Sequence, residues 1–209
     1  MKTAFLVLFA IIFACLAWKW NYLVGLLSMS RHQQFASAEQ ANQLGAPSGV
    51  NGQRILVAYF SWGGNTRKLA HEIHAKVGGD IFEIKTKDQN RYPDDYKSAT
   101  IVARKEFAEN NRPELADTLG NIADYDIILL GFPIWWHTAP MAVQVFLENH
   151  NLAGKTIVPF ATSGGDTIEQ SLPVLHQLAP KATFGEAITA NSRLGVNAWL
   201  KTNGLVVRE

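Results

Sequence analysis

Only one of the 209 residues is a cysteine, Cys15, and it lies in an apolar N-terminal stretch. The remainder of the chain can therefore form no disulfide, no thiolate metal site and no cysteine nucleophile. Charge is also scarce: 18% of residues are Asp, Glu, Lys or Arg, with 19 basic against 18 acidic. Three of the basic residues, Lys2, Lys19 and Arg31, fall within residues 1–38, which hold no acidic residue, so residues 39–209 carry 16 basic and 18 acidic side chains. A balance this close to neutral excludes the basic footprint of a nucleic-acid partner. It also gives little long-range steering toward a partner of either sign. The sequence has no internal repeat and no low-complexity tract.

Residues 3–18 are nearly all apolar and uncharged, with Lys2 in front of them, which is the pattern of an export signal or a membrane anchor. We assign residues 1–38 to that role and exclude them from the fold. Ala36-Ser37-Ala38 offers a small-residue cleavage pattern, and Cys15 after Ile12-Phe13-Ala14 offers a lipidation alternative. Residues 3–29 would serve as an uncleaved anchor if Lys19 snorkels or the helix tilts. Each reading places the folded domain outside the cytoplasm. Residues 39–53, dominated by Ala, Gln, Asn, Gly, Pro and Ser, read as a linker, and residues 54–209 as one domain.

Within the domain, strand-like and helix-like segments alternate. Strands are expected over 54–60, 80–85, 125–132 and 156–162, with a short last one over 184–190. Helices are expected over 66–77, 98–110, 141–149, 168–178 and 192–202. Alternation of this kind means an α/β domain, a parallel sheet covered on both faces. Ligands of such sheets sit outside the carboxyl ends of the strands, where the strand order reverses.

Three strand ends carry unusual residues: Ser61-Trp62-Gly63-Gly64-Asn65-Thr66 after the first, Pro133-Ile134-Trp135-Trp136-His137 after the third, and Thr162-Ser163-Gly164-Gly165-Asp166 after the fourth. The first joins a strand to a helix through glycines and hydroxyls, which gathers backbone N–H groups around the positive end of a helix dipole and suits a phosphate. It lacks the lysine and glycine spacing of the NTPase loop and the G-x-G-x-x-G of dinucleotide folds. No acidic residue stands where it would hold magnesium. A single terminal phosphate on neutral donors fits, as in flavin mononucleotide, with the second loop supplying flat rings and the third supplying hydroxyls and bare backbone.

The stretches "YFSWGGNTR", "LLGFPIWWHTAP" and "GKTIVPFATSGG" resemble the flavodoxin family, and the resemblance extends over about residues 54–202. It implies a three-layer, doubly wound, five-stranded parallel sheet in the order 2-1-3-4-5, with FMN at its carboxyl edge. By matching positions, Ser61, Gly63, Gly64, Asn65 and Thr66 would bind the phosphate, with Trp62 in the same loop. Trp135 and Trp136, with Thr162, Ser163, Gly164 and Gly165, would flank the flavin ring, and Pro133, Ile134, His137 and Asp166 of the same two loops join the cofactor site. Adjacent residues point apart, so one tryptophan of the pair faces the ring, and Trp136 is favoured. The last strand lacks the insertion of the long-chain type.

The sequence also departs from the family. Gly63 stands where a third hydroxyl is usual, the soluble carriers of the family are strongly acidic, and no twin arginine marks export of a folded flavoprotein. Residues 132–137 contain no glycine for the backbone flip that flavodoxins make in this loop, which implies reduction in one two-electron step. His71-Glu72-Ile73-His74 has its histidines at i and i+3, not the i and i+4 of a zinc protease, and reads as a solvated helix face with no metal. His137 reads as a loop histidine, with proton donation as the alternative. "RYPDDY", residues 91–96, reads as an ordinary loop, with a lid as the alternative. The resulting expectation is an FMN-binding redox protein of the cell envelope, exported to the periplasm or held on the outer face of the membrane. It would carry electrons to an unidentified redox partner or reduce a small acceptor. An NAD(P)H-dependent quinone or nitro-compound reductase is the first alternative, and a flavin-free interaction module the second.

Overall fold

The computed structural model describes Gly49, residues 52–192 and residues 194–205. The segment read as an export signal or anchor, and most of the linker, lie outside these residues. Gly49, inside the stretch read as linker, forms an antiparallel bridge to Gly78. Among the described residues no helix is long and apolar enough to cross a membrane.

The chain alternates as expected: β1 (Ile55–Tyr59), α1 (Asn65–Val77), β2 (Asp80–Glu83), α2 (Tyr96–Glu109), β3 (Ile127–Pro133), α3 (Met141–Glu148), β4 (Thr156–Thr162), α4 (Leu172–Leu178), β5 (Thr183–Phe184), β6 (Ile188–Thr189) and α5 (Val196–Thr202). The strand order is β2-β1-β3-β4-β5, with β6 also on β4, and every pairing is parallel. This is the doubly wound order 2-1-3-4-5. Period-two alternation divides each central strand between two cores. Leu56 and Ala58 of β1, Ile128, Leu130 and Phe132 of β3 and Ile157 and Ala161 of β4 pack with α3 residues Val143, Phe146 and Leu147. Ile55, Val57, Tyr59, Ile127, Leu129, Val158 and Phe160 pack on the other face with Leu69, Ile73 and Val77 of α1 and Trp199 and Leu200 of α5. The sheet is thus the middle of three layers.

The fifth strand differs from the expected single segment over 184–190: it is in two pieces. Gly185 donates its N–H to the Ile157 carbonyl and Ala190 donates to Ala161, so alternate residues of β4 turn their backbone groups toward this edge. Pro159 lies between them and has no N–H to give. The chain leaves the ladder there, and α5 takes over its polar groups. The Asn203 amide accepts from Glu186 N–H at 2.9 Å, and the Trp199 indole N–H donates to the Glu186 carbonyl at 2.6 Å. The last helix begins at Val196 rather than 192, because Gly195 precedes it with φ at +82°. Likewise, the expected helix over 168–178 divides into a 3-10 turn, Ile168–Gln170, and α4, which starts with Pro173 in its first turn.

Helix α1 ends at Gly78, and Gly79, with φ at +82°, turns the chain into β2. A Cβ on Gly79 would lie 2.2 Å from the Ile55 carbonyl oxygen, a backbone atom at the start of β1. Gly79→Ala meets both a left-handed backbone and a main-chain clash, so it should lower the unfolding free energy by about 2 kcal/mol or more. A urea titration tests this: the midpoint should fall with an unchanged m-value, and an unchanged midpoint would contradict the packing described.

Candidate functional site

Parallel pairing brings the carboxyl ends of β1, β3 and β4 to one edge, and a cavity of about 690 Å³ opens there. Its size lies within the range of small-molecule and cofactor sites. Of the residues anticipated from sequence, Ser61, Trp62, Gly63, Asn65, Thr66, Pro133, Ile134, Trp135, Thr162, Ser163 and Gly164 line it. Three separate loops therefore meet in one space.

The first loop is shaped by Gly64, at φ +87°, whose N–H donates to the Ser61 hydroxyl at 3.1 Å. Helix α1 starts immediately after it with no side-chain cap. The first N–H groups of an uncapped helix have no partner within the helix and carry its positive dipole end. Thr66 is buried, and its hydroxyl shares a 2.9 Å hydrogen bond with the hydroxyl of Thr162. A hydroxyl can donate and accept at once, so this pair ties the first loop to the third and leaves bonding capacity toward the cavity. The third loop is fastened in turn. Asn191 accepts from Ser163 N–H at 2.8 Å and returns a bond to the Ser163 carbonyl, while the Ser163 hydroxyl accepts from Asp166 N–H at 2.7 Å.

The second loop corrects the choice of tryptophan. Trp135, not Trp136, lines the cavity, with its ring edge-packed against Phe60 and Tyr92 at 5.5 and 5.1 Å. Trp136 leans over α2 instead: its indole N–H donates to the Thr100 carbonyl at 3.1 Å, and the Arg104 guanidinium lies 5.3 Å from its ring. Trp135 and Thr138 exchange both backbone hydrogen bonds around a turn in which Trp136 and His137 have φ of +49° and +62°. Absence of glycine thus does not keep this loop out of the left-handed region, which corrects the premise drawn from composition. The turn is held by side-chain contacts, including His137 Nδ1 to Asp166 Oδ1 at 3.1 Å. Gly64, Trp136, His137, Gly165 and Asp166 are not among the lining residues.

Seven lining residues were not anticipated: Lys68, Leu69, Glu72, Tyr96, Ala190, Asn191 and Ser192. Lys68, Leu69 and Glu72 share the face of α1 that begins at Asn65, so helical periodicity from the loop would have found them. Lys68 revises the picture of a seat made of neutral donors alone. Asn191 follows the last strand, where the strand-end rule applies as it does to the others. Tyr96 closes the "RYPDDY" stretch, which is more than an ordinary loop. The Trp62 indole N–H donates to the Pro93 carbonyl at 3.0 Å, and the Tyr92 hydroxyl donates to Glu106 at 2.8 Å. Arg91 also pairs with Glu106. Burial foremost, and then the Glu106 charge, push the Tyr92 hydroxyl well above its ordinary pKa.

The two histidines of the "HEIH" stretch go to different partners, His71 to the Tyr59 hydroxyl at 3.5 Å and His74 to the Gly79 carbonyl at 2.9 Å. Burial, and secondarily His74, push His71 toward its neutral form. Among the described residues no group of three or more His, Cys, Asp or Glu is placed to hold a metal ion.

A flavodoxin family model matches residues 54–203, most of the chain. The chain belongs to the flavodoxin family. Two solved structures are each 36% identical to it. One is a protein from Bacteroides eggerthii assigned as a flavoprotein, with a TM-score of 0.63, covering 71% of this chain and 96% of that one. The other, from Bacteroides uniformis and assigned likewise, has a TM-score of 0.62 and covers 72% and 99%. A flavoprotein from Lactobacillus acidophilus, solved in complex with FMN, shares the fold at 22% identity and a TM-score of 0.58, covering 70% and 98%. Among curated proteins none matches the sequence. In this flavodoxin-family chain the phosphate-type loop, the aromatic wall and the Thr162–Gly164 loop converge as in no one of its segments alone.

The tie between Trp62 and Pro93 gives a direct check on this assembly. Trp62→Phe removes one neutral hydrogen bond and should lower stability by about 1 kcal/mol. Amide exchange should accelerate across residues 91–98 more than in β1 or β3. Uniform acceleration over the whole domain would show that the bond does not anchor this segment.

Proposed function

We propose that the chain is an FMN-binding redox protein of the cell envelope, with the flavin phosphate at the start of α1 and its ring between Trp135 and the Thr162–Gly164 loop. The observation that carries this reading is the union of an uncapped helix start, an aromatic wall and a hydroxyl- and glycine-bearing loop in one cavity. The donor set suits a phosphate monoester: the N–H groups at the start of α1, the hydroxyls of Ser61 and Thr66, and Lys68 among the lining residues. The relative from Lactobacillus acidophilus, solved with FMN, supports the same assignment.

Bound FMN would supply the redox chemistry, and the chain's own residues would orient it. Trp135 is fixed edge-on by Phe60 and Tyr92, so its position is set before any ligand arrives. Asn191 sets the backbone of the opposite loop. A second reading, reduction of a small acceptor with NAD(P)H as donor, is favoured by the cavity itself. An electron carrier needs only an exposed ring edge, whereas this chain presents a cavity of about 690 Å³ with an aromatic rim. Placement in the envelope rests on the apolar stretch behind Lys2 and the linker that follows it.

Two measurements test the proposal. Full-length protein should quench FMN fluorescence on binding and bind riboflavin more weakly. Thr66→Val should weaken FMN by about 1–3 kcal/mol while hardly changing riboflavin, because only FMN brings a charged acceptor to that hydroxyl. Equal affinity for FMN and riboflavin would remove the phosphate seat. For location, a reporter active only in the cytoplasm, fused after Glu209, should be silent, since the positive N-terminus stays inside. An active reporter would place the domain in the cytoplasm.

A further inference from the structure

The rim of the cavity carries an aromatic side chain that the flavin seat does not account for. Tyr96, the first residue of α2, lines the cavity and is 42% exposed. Its ring lies 6.4 Å from that of Trp62 at an interplanar angle of 52°, and Trp62 lies 6.4 Å from Trp135 at 68°. Trp135 is backed by Phe60 and Tyr92 in the core, whereas Tyr96 stands outermost in the series.

Its position is a built one. Asp95 caps α2 by accepting from Ser98 N–H at 2.9 Å, and that bond holds the Asp95 carboxyl below its usual range. Two residues earlier, the Pro93 carbonyl accepts from Trp62. Before that, Arg91 and Tyr92 both bind the carboxylate of Glu106, which is buried at 3% exposure. The segment that presents Tyr96 is thereby joined to the first loop at one point and to the core at another.

The chemistry at this end of the cavity is uniform. Pro133, Ile134, Trp62, Trp135 and Tyr96 bring no charge. The charged lining residues, Lys68 and Glu72, lie on α1 beyond the phosphate-type loop, with Glu72 about 10 Å of helix rise from Asn65. An anionic ligand would find no cation among these lining residues at the aromatic end. A flat uncharged ring would gain edge and face contacts with the tilted aromatic series.

We propose that Tyr96, supported by Trp62, is the docking face for a second flat ring, an uncharged aromatic molecule of quinone shape, laid at the outer side of the flavin seat. The inference concerns binding, and it rests on the flavin reading for its place in the site.

The experiment titrates menadione into FMN-loaded full-length protein with no reductant present, so that no turnover occurs. Menadione binding is followed by equilibrium dialysis, and FMN affinity is read separately from flavin fluorescence. Tyr96→Ala and Tyr96→Leu should each weaken menadione binding by about tenfold, as loss of one ring contact and its buried area predicts, while Tyr96→Phe stays within about twofold of the parent. FMN affinity should change by less than about twofold in all three, since no part of the phosphate seat is touched. Unchanged menadione binding in the Ala and Leu variants would overturn the inference. A parallel fall in FMN affinity would overturn it too, because Tyr96 would then serve the flavin. Titration of flavin-free protein separates the two readings. Menadione bound through Tyr96 by protein that fails to bind added FMN would uphold the aromatic face and remove the flavin reading.

Discussion

Pairing of β1 with β3 is the constraint on which the other features of the site depend. Ile55 to Tyr59 run in register with Ile127 to Gly131, and the Phe60 N–H extends the ladder by donating to the Gly131 carbonyl at 2.9 Å. From β1 the chain moves outward to β2, then crosses back to β3 on the other side. The connections therefore leave these two adjacent strand ends on opposite faces of the sheet, and a crevice opens between them. Every residue of β1 is buried on one face or the other, so the hydrophobic contribution of two layers fixes where the strand ends lie. Irregular loops can then be positioned without regular structure of their own.

Those loops are held chiefly by one another. The buried Thr66–Thr162 hydroxyl pair joins the first to the third, and the Ile134 N–H to Thr162 carbonyl bond joins the second to the third. These bonds are shielded from water and outweigh the His137–Asp166 pair, which is exposed and contributes little to stability. The left-handed turn at Trp136 and His137 costs of the order of 1 kcal/mol per residue or more. Contacts of Trp136 with α2 offset part of that cost. The turn places Trp135 against the core on one side and the cavity on the other, so local backbone strain is exchanged for a fixed aromatic wall.

The cavity has two chemistries at its two ends. Along α1 it is polar and bears both signs of charge, Lys68 and Glu72, and at the start of α2 it is aromatic and uncharged. This division matches the weak overall charge of the chain: with 16 basic and 18 acidic residues in 39–209, recognition depends on local donors and ring faces rather than on a long-range field.

The sequence by itself determined the α/β class, the positions of the first four strands and the three loops, because strand periodicity, glycine placement and strand-end residues are local properties of the chain. It also identified the family from motifs in order. Several features were decided only by tertiary structure. Which of Trp135 and Trp136 faces the cavity depends on a hydrogen bond to Thr100, 36 residues away. The break in the fifth strand depends on Pro159 in its neighbour and on Asn203, the residue that follows the last helix. The role of the 91–96 segment depends on Trp62, whose indole reaches Pro93 across 31 residues. Each outcome is set by a partner distant in sequence, and pairing of that kind leaves no periodic trace in the chain; it exists only once the sheet has brought the two segments together.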